Sequence, residues 1–148
     1  MNATVAIGTR DRVFRRSFPP RASSARLLRK TLRQYLAVVD CRGEDSDALM
    51  LCAGEAFINA VIHAPHAPVL VAAWMREDRL VLEVSDEGPG LDVAQVRRDE
   101  VPDIEAEHGR GLFLIHQFMD AVHIDSSGCG TTIRMELQLS PADLTLTA

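Results

Sequence analysis

The segment from Ala48 to Ala64 constrains the fold of this chain more than any other part of its sequence. It reads ALMLCAGEAFINAVIHA, and its only polar side chains are Glu55, Asn59 and His63. Because each of the three is four residues from the next, they lie on one stripe of a helix whose other side chains are apolar. The polar residues argue against a membrane span. The segment therefore predicts a buried helix in a globular domain, capped by Asp45 or Ser46 and ended by Pro65.

The polar stripe of this helix has two interpretations. A carboxylate among apolar neighbours is costly unless it is paired, hydrogen-bonded or faces a wet cavity. Glu55 and Asn59 are therefore either part of a functional site or members of a solvent-facing stripe or a buried hydrogen-bonded pair. His63, near the helix end, is more typical of a structural histidine or of a partner for the negative end of the helix dipole.

The rest of the 148-residue, 16.3 kDa chain has the length and patterning of one domain, residues 1–148, with a core over about 12–139. A long polar loop between Gly90 and Gly109 is expected to be a lid or a binding loop. The order β-α-α-β-β-loop-α-β-β predicts an α+β fold, with helices on one face of a largely antiparallel sheet. Apart from the helix above, the predicted elements are a strand over 12–18, a helix from Ser23 or Ser24 to about Val38, a hairpin of Val69–Arg76 and Arg79–Asp86, a helix over Gly111–Asp120, and strands Val122–Ser126 and Thr131–Leu139.

Charge and cysteine content narrow the function classes. The net charge of −5 gives no reason to expect a direct nucleic-acid partner. One segment, Arg10 to Arg33, is locally basic, and it is either a solvated face or a docking surface for an acidic protein partner. Three widely spaced cysteines favour neither a zinc site nor a disulfide framework. With no signal peptide or membrane span visible, we expect a cytoplasmic protein.

Three glycine-containing motifs follow the polar helix. In the first, an apolar strand ends at Asp86 and is followed by Gly88 and Gly90. In the second, Gly109-Arg110-Gly111 stands directly before an apolar helix, where exposed backbone N–H groups and a cation would suit an anion. The third is the turn and strand start that reads GCGTT from residue 128. Each motif alone is typical of a turn.

Taken in order, these parts resemble the ATP-binding domain of the GHKL, or histidine-kinase-like ATPase, superfamily. Within that superfamily the chain is most similar to the anti-sigma-factor serine kinases of bacteria. The runs EAFINAVIH and GRGLFLIHQFMD carry the resemblance, which covers about residues 12–139. It implies a Bergerat-type ATP-binding fold, a two-layer α/β sandwich in which three helices cover one face of the sheet.

The resemblance also implies a role for individual residues. Asn59 would hold Mg²⁺ against the phosphates of ATP, and Glu55 would act as the general base. Asp86 would accept a hydrogen bond from the adenine amino group. The other residues implied in nucleotide binding are Gly88 and Gly90 beside the base, Gly109, Arg110, Gly111 and Leu112 at the phosphates, and Thr132 or Thr131 as the support of Asp86. One departure is the proline-containing run Ala64-Pro65-His66-Ala67-Pro68, where the family often has glycine and an aromatic residue.

The resemblance implies a serine/threonine protein kinase that phosphorylates an antagonist protein and binds a sigma factor or a similar regulator. An alternative is a non-catalytic module in which ATP only gates protein binding. A third interpretation, the catalytic piece of a histidine kinase, is disfavoured because the residues before the polar helix contain no histidine. Relatives of this type commonly form homodimers, which is a further expectation.

Overall fold

The structure is a computed structural model that describes residues 12–89 and 110–141. The predicted loop between Gly90 and Gly109 lies outside the described residues. Within them, no helix is long and apolar enough to cross a membrane. The elements are β1 (Phe14–Phe18), a short 3₁₀ turn (Ala22–Ser24), α1 (Ala25–Val38), α2 (Gly43–His63), β2 (Val69–Arg76), β3 (Arg79–Asp86), α3 (Arg110–Phe118), β4 (Ala121–Ser127) and β5 (Gly130–Gln138).

The five strands form one antiparallel sheet in the order β1-β2-β3-β5-β4. Side chains alternate between its faces, so that Phe14 and Phe18 are fully buried while Arg15 and Ser17 between them are exposed. The buried face receives the helices. The opposite face carries polar side chains, among them Arg134, which forms a salt bridge with Glu83.

The helices pack on the sheet through the apolar stripes that their sequences contain. In α1 the buried positions include Leu28, Leu32 and Leu36, which recur at helical spacing. In α2 the buried face includes Leu49, Ala53 and Phe57. The ring of Phe57 packs edge to face on Phe18 of the sheet, with ring centroids 6.0 Å apart. The predicted α+β architecture is confirmed.

Two helix ends differ from the prediction. Helix α2 begins at Gly43, whose φ of +60° suits glycine, and not at Asp45 or Ser46. Helix α3 ends at Phe118, two residues earlier than predicted. The backbone N–H of Asp120 donates to the carbonyl of Glu136 at 2.9 Å, and its carboxylate accepts from the N–H of Gln138 at 2.7 Å. Asp120 therefore joins the end of α3 to the sheet, and the helix cannot continue through it.

Candidate functional site

The polar stripe of α2 is not a solvated surface. Asn59 is buried, with 9% of its surface exposed, and both Glu55 and His63 are half-buried. The stripe lies on the side of α2 that α3 and the end of β3 approach, so its side chains line the space between these elements.

The first turn of α3 closes directly on Glu55 and Asn59. A Cβ atom added at Gly111 would lie 3.0 Å from Oε2 of Glu55 and 3.5 Å from Nδ2 of Asn59. A side chain at this position would require the carboxylate of Glu55 to shift, so glycine permits the closest approach. The first backbone N–H groups of a helix have no intrahelical partner and carry partial positive charge. The structure thus brings a carboxylate, an amide and a helix N-terminus together, which is an arrangement suited to a phosphate and its counter-ion.

Arg110 and Leu112 flank Gly111 in this first turn. Arg110 is the first residue of α3, and its side chain lies outside the described part of the structure. Leu112 is buried in the hydrophobic core. Of the other predicted phosphate-side residues, Gly109 lies outside the described residues.

A second group of residues lies at the other end of the stripe. Asp86 ends β3, and its Oδ1 accepts a hydrogen bond from the backbone N–H of Gly88 at 2.9 Å. A Cβ atom at Gly88 would lie 2.7 Å from the backbone oxygen of His63 and 3.0 Å from the Cβ of Ala64. The turn after β3 therefore rests on the C-terminal end of α2.

A cavity of about 230 Å³ opens at this same end of α2. His63, Glu87 and Gly128 are among its lining residues. Glu55 and His63 are eight residues apart, which corresponds to about 12 Å along the helix axis. The cavity therefore lies at the opposite end of the stripe from Glu55, and of the predicted adenine-side residues Gly88 lines it and Asp86 does not. Gly90, which was predicted to lie here, is outside the described residues.

The two candidate threonines lie on opposite faces of the sheet. Thr131 pairs with Asp86 in the β3–β5 register and shares its face, because directly opposite residues point the same way. Thr131 is buried, and its hydroxyl lies 2.9 Å from that of Ser126 on β4. Thr132 lies on the other face, where its hydroxyl is 2.8 Å from that of Ser85.

Ser126 was not singled out in the sequence, although it has a clear place beside the site. It pairs with Thr131 in the β4–β5 hairpin, and their hydroxyl contact orders the side chain that faces Asp86. The signal that could have identified it is the pairing of the two strands across their short turn. Without the register, a serine in a strand is only a polar residue.

The chain is similar in sequence to proteins of one known family. Residues 18–137 match the family model of the histidine kinase-like ATPase domain. A serine-protein kinase RsbW from Bacillus velezensis is 31% identical over 125 residues, which are 77% of this chain and 78% of the relative. An anti-sigma F factor from Clostridium acetobutylicum is 28% identical over 127 residues, which are 80% of this chain and 88% of that protein.

Solved structures of the same fold include two bacterial proteins. The RsbU and RsbW domains of a Mycobacterium tuberculosis protein align with a TM-score of 0.66 at 20% identity, covering 88% of this chain and 33% of that one. The SiaB–SiaC complex from Pseudomonas aeruginosa contains a chain that aligns with a TM-score of 0.66 at 18% identity, covering 87% of this chain and 92% of that one. At these identities the similarity shows the fold alone.

Proposed function

Since this chain belongs to the histidine kinase-like ATPase family, and within it to the group of anti-sigma factors and serine-protein kinases, we propose that it is an ATP-dependent regulatory serine/threonine kinase of the cytoplasm. It phosphorylates an antagonist protein and binds a sigma factor or a similar regulator. The observation that carries the proposal is the closure of α3 on Glu55 and Asn59, since an ATP-dependent protein kinase needs a base, a metal ligand and a phosphate site in one place.

At the phosphate end, the donor set fits a magnesium ion. Mg²⁺ prefers a few hard oxygen ligands together with water and phosphate oxygens, and the amide oxygen of Asn59 is such a ligand. The side chain of Asn59 reaches the first turn of α3, where backbone N–H groups without an intrahelical partner would be available to an anion. When bound there, the ion would neutralise charge on the phosphate oxygens during transfer.

Glu55 is proposed as the general base. The hydroxyl oxygen of the protein substrate forms a bond to the γ-phosphorus of ATP, the bond from that phosphorus to the β,γ-bridging oxygen breaks, and ADP leaves. Glu55 takes the hydroxyl proton as this happens. Its carboxylate is half-buried beside Gly111, and a general base typically accelerates such a transfer by about 10²–10⁴-fold.

At the other end of the stripe, Asp86 is proposed to recognise adenine. An ionised carboxylate has about four acceptor sites on its two oxygens, and the bond from Gly88 uses one of them on Oδ1. The remaining oxygen can accept from the adenine amino group, which guanine lacks at that position. Of the two threonines, Thr131 is the one that we propose supports Asp86, because it shares its face. Gly88 and Gly90 would let the backbone pass close to the base.

A phosphotransfer assay tests the kinase proposal. The chain is incubated with [γ-³²P]ATP, Mg²⁺ and antagonist proteins of its host, in wild-type form and as the variants Glu55→Gln and Glu44→Gln. Glu44 lies exposed in the first turn of the same helix, so its variant has the same change of charge away from the site. We expect label transfer in the wild type and in Glu44→Gln, and a loss of about 100-fold or more in Glu55→Gln.

Two outcomes would contradict this proposal. Absence of transfer to every antagonist, with ATP bound but intact, would favour the alternative of an ATP-gated binding module. Transfer that is unchanged in Glu55→Gln would remove the general base from the mechanism.

A further inference from the structure

The solvent-facing side of α2 is apolar around Glu55. Leu51, Glu55, Ile58 and Ile62 recur at spacings of four, three and four residues, so they lie on one stripe of the helix. Leu51 is 41% exposed and Ile62 is 47% exposed, and Ile58 between them is half-buried. Glu55 is the only charged residue over residues 48–62. The three apolar residues of this set form the outer stripe of α2.

The exposed apolar side chains of this region are grouped. Among the described residues, six large apolar side chains are exposed, and three of them lie on α2 and α3: Leu51, Ile62 and Phe118. Phe118 is seven residues after Gly111, so both lie on the side of α3 that faces α2. Grouped apolar exposure of this kind is typical of a contact site. The exposed face of α1 is different, because it carries a stripe of four cations: Arg26, Arg29, Lys30 and Arg33.

Gly54 lies on the same exposed side of α2, and nothing in the packing of the chain requires a glycine there. It is three residues after Leu51 and four residues before Ile58, inside a helix of 21 residues. A Cβ atom added at Gly54 meets nothing within 4 Å. Glycine inside a helix is less favourable than alanine, because it loses more conformational freedom on folding. The fold therefore gains nothing from Gly54, whereas a second chain that approached here would gain room for its backbone.

The outer stripe lies on both sides of the carboxylate that the acceptor hydroxyl must reach. Along the helix axis, Leu51 is about 6 Å before Glu55 and Ile58 is about 4.5 Å after it. The first turn of α3 occupies the inner side of Glu55 at Gly111. A hydroxyl that gives its proton to Glu55 therefore comes from the solvent side, and the main chain that carries this hydroxyl must cross the outer stripe.

We propose that the outer stripe, Gly54 and Phe118 form the docking surface for the phospho-acceptor segment of the protein substrate, an extended segment with apolar side chains on both sides of its serine or threonine. This inference rests on the proposed kinase function, because that function places the acceptor hydroxyl at Glu55. In an extended chain, side chains two residues from the acceptor point the same way as its hydroxyl and lie about 6–7 Å from it. They would cover Leu51 on one side and Ile58 on the other. Charged flanks would be placed among apolar side chains, which is unfavourable.

Peptide binding to the full chain tests the docking surface without depending on catalysis. The probe is a fluorescein-labelled peptide with a central serine and with leucines two residues before and two residues after it. Its control peptide has glutamines in place of both leucines. The chain carries Mg²⁺ and a non-hydrolysable ATP analogue. The variant Gly54→Leu fills the space beside Glu55, and the matched variant Ala37→Leu adds the same side chain at an exposed position of α1.

We expect fluorescence anisotropy to show that the wild type and Ala37→Leu bind the leucine peptide about tenfold or more tightly than the glutamine peptide. In Gly54→Leu the affinity for the leucine peptide falls about tenfold or more. ATP binding of this variant is unchanged and its melting temperature does not fall, because leucine is a better helix former than glycine. In phosphotransfer from [γ-³²P]ATP, the same variant raises the KM for the peptide and leaves kcat unchanged, as expected for a loss of acceptor binding alone.

The proposal is overturned by equal binding of the two peptides, by equal affinity of Gly54→Leu and the wild type, by equal losses in the two variants, or by absent binding of the leucine peptide. A lower melting temperature in Gly54→Leu alone would show that the glycine serves packing, and would overturn it as well. A wild-type dimer that dissociates in Gly54→Leu during sedimentation would assign the surface to a second copy, with the same consequence.

The two readouts also separate this proposal from the kinase function. Phosphotransfer with an unchanged KM in Gly54→Leu would retain the kinase function and remove the docking surface. Peptide binding that is lost in Gly54→Leu, without phosphotransfer in any form of the chain, would retain the docking surface and contradict the kinase function.

Discussion

Asp86 combines a structural and a proposed chemical task in one side chain. Its Oδ1 accepts the hydrogen bond from Gly88 that shapes the turn after β3, and this turn rests on the end of α2. The other carboxylate oxygen is then held in a fixed direction by the same contact. A side chain that is positioned in this way binds its ligand more tightly, because little conformational entropy is lost on binding.

Gly88 is the residue on which this arrangement depends most directly, and Gly88→Ala tests it. The new methyl group would lie 2.7 Å from the backbone oxygen of His63, so the turn must move away from α2. We expect a loss of about 1–3 kcal/mol in the free energy of unfolding, together with weaker ATP binding. Denaturant unfolding and calorimetry measure the two effects. The matched variant for stability is Gly128→Ala, where an added Cβ meets nothing within 4 Å; similar losses in the free energy of unfolding in both variants would contradict the packing argument.

The three thiols are predicted to differ sharply in reactivity. Burial raises the pKa of Cys52 to about 12, with a further contribution from the negative charge of Glu55, and raises that of Cys41 to about 11. Cys129 is exposed. Because the thiolate is the reactive form, Ellman's reagent at about pH 8 should modify one thiol quickly in the folded chain and all three after denaturation.

The same pKa shifts fix the sign of a pH effect on stability. A thiol whose pKa is higher in the folded state than in the unfolded state contributes its full stability below the unfolded value of about 9, and loses it as the pH rises toward 12. In the labelling experiment, rapid reaction of two or three thiols of the folded chain with Ellman's reagent would show that Cys41 or Cys52 is not buried as described.

Some residues could be identified from the sequence, and others required the strand register. Glu55 and Asn59 stood out because few polar residues interrupt the helix, and in the fold the first turn of α3 approaches both of them at Gly111. The choice between Thr131 and Thr132 could not be made, since neighbouring strand residues point to opposite faces and a slip of one residue exchanges them. Only the pairing of β5 with β3 places Thr131 beside Asp86.

At the scale of elements, α2 is both the centre of the core and one wall of the candidate site. It contacts α1, α3 and the sheet, so its position is fixed on several sides. Its two roles use different side chains of the same helix: Phe57 and its apolar neighbours pack inward, while Glu55 and Asn59 face α3. A helix held this firmly keeps its polar groups in place for chemistry.

Removing the aromatic ring of Phe57 should therefore lower the stability of the fold strongly. Phe57 is fully buried and packs on Phe18, so Phe57→Ala leaves a cavity and is expected to lower the free energy of unfolding by about 3–5 kcal/mol. Leu51 lies on the same helix but is 41% exposed, and Leu51→Ala should change it by no more than about 0.5 kcal/mol. Urea unfolding measures both variants, and equal changes in the free energy of unfolding would mean that α2 is not packed as described.

Element identity was more predictable than element ends. Apolar periodicity predicted the helices and the strands of the described residues, because each element must bury one face. The ends depend on contacts distant in sequence. Helix α3 ends early because Asp120 bonds to Glu136 and Gln138 of β5, and no local pattern near Asp120 predicts that contact.

At the scale of the whole molecule, the net charge of −5 is the sum of a basic N-terminal segment and an acidic remainder of the chain. The sequence left the basic N-terminal segment open between a solvated face and a docking surface. The structure adds that four of its cations lie on one exposed stripe, without ion pairs among the described residues. The order of elements was sufficient to predict the fold. Which charged side chains share one surface depends on their positions in the folded structure, and the sequence alone did not provide these.

The central claim is that ATP binds along the polar stripe of α2, with its base at Asp86. Calorimetric titration of MgATP and MgGTP tests it most directly in the wild type, in Asp86→Asn and in Asp125→Asn, an exposed position on β4. Asp86→Asn retains an oxygen for the bond from Gly88 but replaces the other with an amide that cannot accept from adenine. We predict one ATP bound per chain, with affinity about tenfold or more weaker for GTP and for Asp86→Asn and unchanged for Asp125→Asn. Absence of ATP binding, or equal affinity in Asp86→Asn and the wild type, would contradict the account.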